Sequence, residues 1–375
     1  MPYGLLAALA AAAIPTLAAL TASARPGPAG TIVFYLSVVV NEAPFLWLAW
    51  IGSATALTWM LGGLTPVGAA SAAAVALGLA ELVRRGAKAR RVLERAMEPV
   101  RMPRRVPYGR IVFGPLLRRR SRVEHLADLA YGPADRHRLD LYRLPGATGG
   151  PVLVHFHGGS YSAGRKDSQS LPLLYRLAQA GWVCVSAEYR LRPAAGFADH
   201  LADAHRVVAW IRTHGLDWGA DPDRIVLAGS SAGAHLAASA AFTADCSRLP
   251  DVEAVDLRVS GVIGFGGYYG TYYGQGPRTS PAGLAGPAAP PCLIVHGDRD
   301  TIVPVADARR FAEALRGVSQ QPVVFAALPG GQHAFDLCDS VRFAAVLDAV
   351  EAFTAAVLPV RPGGQARPAP HAPPP

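Results

Sequence analysis

Charge is nearly missing from the first part of the chain. From Met1 to Val83 the only basic residue is Arg25 and the only acids are Glu42 and Glu81. A helical domain that packs in water needs a charged outer face, so this scarcity argues against one. Cysteine is scarce as well. Cys184, Cys246, Cys292 and Cys338 are scattered and form no CxxC pair. That spacing offers neither a metal cage nor a disulfide framework, and the four read as buried, reduced thiols. No cofactor is expected. The net charge of +9 is concentrated in residues 84 to 122, which hold fourteen Lys or Arg against Glu94 and Glu98. No zinc-finger spacing or stacking-aromatic motif accompanies that run, so nucleic acid is not an expected partner.

What is present is apolar surface, at 51% of residues. Three stretches stand out: Leu5 to Ala24, residues 31 to 61 interrupted by "NEAP", and Leu64 to Val83. A membrane span needs about 20 apolar residues to cross about 30 Å of hydrocarbon. Three spans are expected, with Asn41, Glu42 and Pro44 placed where a helix kinks or ends. A cleaved signal peptide is the alternative for the first stretch, on the small residues Ala22-Ser23-Ala24, but no basic residue precedes the apolar run. The basic run after the last span predicts a multi-pass protein of the cell membrane with everything beyond Arg84 on the cytoplasmic side. It would also hold anionic lipid, at about 1 kcal/mol per basic residue near the surface. The expected division is a transmembrane region over 1–83, a basic linker over 84–122, a catalytic domain over 123–358 and a disordered Pro-rich tail over 359–375.

Beyond Val123 short apolar runs alternate with helical ones. Strands are expected at 138–144, 151–157, 182–189, 224–230, 259–265, 292–297 and 322–328, and helices at 170–180, 197–214, 232–244, 305–316 and 341–357. Apolar strands separated by helices define an α/β domain with a doubly wound, mostly parallel sheet.

The stretch "IVLAGSSAGAHLAASAA" sets two serines side by side. Only Ser231 has glycine two residues before and two after it, at Gly229 and Gly233, which is the G-x-S-x-G pattern of a serine on a strained strand-to-helix turn. A serine hydroxyl is a weak nucleophile until a base takes its proton and an acid orients that base. In chain order Ser, acid, His, the base is His333 in "PGGQHAF", because His296 ends a strand and His371 lies in the tail. The loop "HGDRDTIVP" offers Asp298 and Asp300 as the acid. An oxyanion needs N–H donors already in place, and "HFHGGSYSAG" supplies Gly158 and Gly159, with the N–H of Ala232 as a third. A zinc site on His155 and His157 is the sharper alternative, and it lacks further ligands.

Together "HGGS", "AEYRLRP", "GSSAG", "HGDRDTIVP" and "GGQHAF" resemble the α/β-hydrolase carboxylesterases of the hormone-sensitive-lipase-like group. The likeness is nearest to membrane-anchored actinobacterial-type esterases and isoprenylcysteine methylesterase-like enzymes, over about residues 123 to 357. The resemblance implies a serine nucleophile at Ser231, a base at His333, an oxyanion motif on His157, Gly158 and Gly159 and, by the HGxxDxxVP pattern, the acid at Asp300. Two positions depart from it. Glu188 stands where many members have Asp, and Ser160 where many have a third small residue. The Gly-, Pro- and Tyr-rich stretch 266–291 is a candidate cap carrying Tyr268, Tyr269, Tyr272 and Tyr273. The expected activity is hydrolysis of small-molecule or lipid-like apolar esters. A prolyl-oligopeptidase-like serine peptidase and a catalytically dead scaffold are the alternatives.

Overall fold

A computed structural model of the chain describes residues 3–23, 25–113, 122–246 and 255–358. The Pro-rich tail and the Arg118–Arg120 run lie outside the described residues. Four helices open the chain: α1 (Tyr3–Thr21), α2 (Pro28–Glu42), α3 (Pro44–Met60) and α4 (Pro66–Met97). Pro28, Pro44 and Pro66 each stand at the start of a helix, where a missing N–H costs nothing. Pro44 also cannot continue α2, and α2 and α3 meet at 81°. α1 and α4 are each long and apolar enough to cross a membrane, and the bent α2–α3 pair passes the same test as a unit.

The helix α5 (Tyr108–Phe113) leads to an eight-stranded sheet of β1 (Glu124–Ala130), β2 (Arg138–Arg143), β3 (Gly150–Phe156), β4 (Val183–Ala187), β5 (Ala220–Ser230), β6 (Gly261–Phe265), β7 (Cys292–Gly297) and β8 (Val323–Leu328). Its order is β1-β2-β4-β3-β5-β6-β7-β8. The first two pairings are antiparallel and the rest parallel. Strands β4, β6 and β7 are buried along their whole length, as expected of a sheet covered on both faces. The cover is α6 (Leu171–Gln179), α7 (Phe197–His214), α8 (Ala232–Phe242), α9 (Pro281–Leu284), α10 (Val305–Val318) and α11 (Val341–Val357). The strand order reverses between β3 and β5, which places the mouth of a crevice at their carboxyl ends.

Two expectations meet a different arrangement. β1 is an additional edge strand, with a register irregularity between Leu126 and Leu129. Its polar, half-exposed residues carry no apolar run to announce it. The second concerns residue 84, where a linker was expected to begin. α4 runs through that point unbroken, and Ala89, Leu93 and Met97 join Leu177, Val346 and Val350 in the core beneath the sheet. Several basic residues of this stretch therefore face protein rather than lipid. Arg90 donates to Asp348 at 2.7 Å and to the Pro103 carbonyl at 2.9 Å.

Asn41 and Glu42, expected only as a break in a span, instead fasten α2 to the sheet domain. The buried Glu42 carboxylate accepts from Ser340 Oγ at 2.7 Å and pairs with the buried guanidinium of Arg342. Removing one partner of a buried ion pair strands the other. Glu42→Ala is therefore expected to destabilise the protein by about 3–5 kcal/mol, checked by thermal unfolding of the detergent-solubilised full chain.

Candidate active site

β5 passes into α8 through Ser231, whose φ of 54° and ψ of −117° lie in a strained region for a residue with a side chain. The turn is tight. A Cβ on Gly233 would fall 2.0 Å from the Phe156 carbonyl oxygen, and one on Gly229 would fall 2.2 Å from the Gly233 carbonyl. Hydrogen bonds hold the conformation: the Ser231 N–H donates to the Phe265 carbonyl at 2.9 Å, and the Ser231 carbonyl accepts from Ala234 at 3.1 Å. The neighbouring Ser230 points elsewhere. Its hydroxyl is buried, donates to Asp336 and sits 3.0 Å from His155 Nε2.

His333 follows β8 and turns its Nδ1 to Asp300 Oδ2 at 2.7 Å. The other carboxylate oxygen of Asp300 accepts from the N–H groups of Ile302 and Val303 at 2.9 and 2.8 Å. His296 Nε2 lies 3.1 Å from Oδ2. Burial alone would raise the Asp300 pKa, but the His333 charge and the hydrogen bonds with His296 and His333 outweigh it and hold the carboxyl well below the usual range. Burial likewise pushes His333 down, and the adjacent Asp300 charge outweighs it, leaving the imidazole above its ordinary 6.5. Asp298 is not part of this pair. It accepts from the Gly330 N–H at 2.7 Å and so ties two loops together.

The pieces converge at the carboxyl ends of the strands. A Cβ on Gly266 would stand 3.5 Å from His333 Nδ1 and 3.7 Å from Asp300 Oδ2, and the preceding residue, Phe265, is the one whose carbonyl takes the Ser231 N–H. On the other side, a Cβ on Gly158 would lie 3.0 Å from Ser231 Cβ. Ser231, Asp300, His333, Gly158, Gly159 and Ala232 are thus brought to one rim.

The structure alters one of the expected donors. The N–H of Gly158 is committed to Gln169 Oε1 at 2.6 Å, so it holds the loop in place instead of facing the crevice. Gln169 lies eleven residues further on, and the sequence carried no sign that it folds back. Gly159 turns the chain at φ +116°, and Ala232 begins α8, where the first N–H groups have no partner within the helix. Behind the loop, Tyr189 donates to the His157 carbonyl at 2.8 Å and Glu188 accepts from the Lys166 N–H at 3.1 Å, so "EYR" braces it. His157 Nδ1 contacts the Gly158 carbonyl at 2.7 Å, and no metal-holding cluster occurs among the described residues. Gln169, Ser170 and Asp336 were not singled out from sequence. Ser170 and Ser230 both donate to Asp336, joining the oxyanion loop, the serine turn and the histidine loop.

A cavity of about 270 Å³ opens beside Ser231, lined by Ser160, Tyr161, Tyr268, Tyr272, Tyr273 and Ile302 among others. Three of the four cap tyrosines face it. Tyr269 instead stacks on Phe311 with ring centroids 4.1 Å apart, in the core.

A serine on a strained turn, beside a buried His–Asp pair on a doubly wound sheet, defines the class: a serine hydrolase of the α/β-hydrolase fold. The BD-FAE family matches residues 139–270. The probable carboxylic ester hydrolase LipM of Mycobacterium tuberculosis is 36% identical over 96% of this chain and 95% of its own length. The esterase LipQ of the same organism is 35% identical over 64% of each chain. Among solved structures, an esterase of Thermogutta terrifontis with propionate bound superposes with a TM-score of 0.55, at 26% identity, over 65% of this chain and 97% of that one. The chain belongs to the family of α/β-hydrolase carboxylic ester hydrolases that includes LipM, and it is a serine carboxylesterase.

Proposed function

We propose that Ser231 is the nucleophile of this carboxylesterase, His333 its general base and Asp300 the group that orients the base. Ser231 Oγ bonds to the acyl carbon as its proton passes to His333 Nε2. That proton then goes to the departing alkoxide, leaving an acyl-enzyme and a free alcohol. Water, deprotonated by the same imidazole, releases the acid and restores the serine. Gly159 and Ala232 would supply N–H donors to the oxyanion. The observation that carries this reading is the 2.7 Å contact between His333 Nδ1 and Asp300 beside the strained Ser231 turn.

The cavity lies near the lower end of small-molecule pockets, which favours a short acyl group between the tyrosines. α1 and α4 would place the enzyme in the cell membrane as a multi-pass protein. The basic residues of 84–122, in the last part of α4 and beyond it, favour a cytoplasmic catalytic domain and contact with anionic lipid. Substrates would then be esters that reach the enzyme from the lipid surface.

The test is a panel of p-nitrophenyl esters from acetyl to palmitoyl, with a peptide amide beside it, measured across pH. Short acyl esters should turn over fastest and the amide not at all. A base must be neutral to act, so kcat/KM should fall as the pH drops through the His333 pKa, with the midpoint above 6.5. A midpoint below that value would contradict the charge coupling to Asp300.

A further inference from the structure

Helix α2 is built into the wall of the active site. Gly30, Phe34, Ser37 and Asn41 follow helical spacing along one face. Each meets a loop that carries the acid or the base. The Gly30 carbonyl accepts from Thr301 Oγ1 at 2.7 Å, and Asn41 Nδ2 donates to the Gly330 carbonyl at 2.9 Å. The Phe34 ring stands edge-on to the His333 imidazole, with centroids 5.9 Å apart. Ser37 Oγ accepts from Gln332 Nε2 at 3.3 Å. The opposite face, with Ile32, Tyr35, Leu36 and Val39, is exposed and apolar.

Gln332 links this helix to the acid and the base together. Its Oε1 accepts from the N–H of Thr301, next to the acid, at 2.8 Å and from the N–H of His333 itself at 2.9 Å. Two backbone donors require an oxygen at that place, which fixes the amide orientation and aims Nε2 at Ser37. The side chain is buried, so a lost partner there is not replaced by water at no cost. Asp300 holds one edge of the imidazole, Gln332 holds its backbone, and the Phe34 ring closes one side. None of these three constraints comes from the strand that precedes His333.

We propose that Gln332 and Phe34 are positioning residues for the base, and that α2 is through them a working part of the ester-hydrolysis site. The proposal rests on the assignment of Ser231, His333 and Asp300 above. A displacement of about 1 Å at a reacting group is enough to lower a rate by around 10²-fold.

The test uses the full-length enzyme in detergent micelles, with p-nitrophenyl butyrate as substrate and active sites counted with a fluorophosphonate. Gln332→Met and Phe34→Ala are each expected to lower kcat per titrated site by about 10- to 100-fold while leaving KM nearly unchanged. Phe34→Leu, which restores bulk beside the imidazole, should recover most of the loss. A lower count of titratable sites with normal kcat per site would mean that these residues only support folding, and would overturn the proposal. So would Phe34→Leu matching Phe34→Ala. Ser231→Ala distinguishes the deeper failure, since turnover persisting in that variant would remove the underlying assignment instead.

Discussion

Ser231→Ala is expected to lower kcat by ~10⁴ or more with little change in KM and to abolish fluorophosphonate labelling, because in the proposed mechanism Ser231 carries the acyl group. Ser230→Ala gives the contrast that makes this specific. Ser230 is the neighbour in sequence, yet its hydroxyl is turned away into the buried contact with Asp336 and His155. Losing it should leave labelling of Ser231 intact. Turnover surviving in Ser231→Ala and vanishing in Ser230→Ala would reverse the assignment of the two serines.

The second large effect concerns the acid. Asp300→Asn is expected to cost ~10⁴ in kcat, through the tautomer of the base rather than through lost packing. Oδ1 of Asp300 accepts from two backbone N–H groups, at Ile302 and Val303. An asparagine would keep its oxygen there and present its NH₂ where Oδ2 now meets His333 Nδ1. That nitrogen must then accept, which puts the imidazole proton on Nε2 and leaves no lone pair for the serine. Asp298→Asn should reduce kcat far less, since the Asp298 carboxylate accepts from the Gly330 N–H instead of meeting the imidazole. Equal losses in the two variants would contradict the division of roles.

The residues proposed for catalysis could be picked out of the sequence because chemistry restricts their residue types and the fold restricts their order. Ser231 could be told from Ser230 by the glycines alone, and the structure gives the reason: a Cβ at Gly233 would meet the Phe156 carbonyl. Seven of the eight strands were visible as apolar runs. β1 was hidden because an edge strand with one wet face needs no such run. The acid stayed open between two aspartates until a family pattern chose one, since both lie in the same loop. Less visible were the groups that hold these residues in place. Gln169 and Gln332 act by folding back on backbone N–H groups, a property of loop shape that spacing does not encode. The docking of α2 was overlooked for a different reason: in an apolar segment, Asn41 and Glu42 read as interruptions of a span, and Ser37 was passed over. The helical spacing of Ser37 and Asn41 on one face was the missed signal.

α4 carries one more consequence. A helix of 32 residues is about 48 Å long, and about 30 Å suffices to cross hydrocarbon. In the proposed membrane setting the surplus is not a flexible leash, because Ala89, Leu93 and Met97 are sealed into the base of the enzyme. The body is mounted on a mast. Its mouth would then keep a constant height and heading above the bilayer, so selection among esters would depend on which molecules can raise their carbonyl to that level, as well as on which ones fit once there.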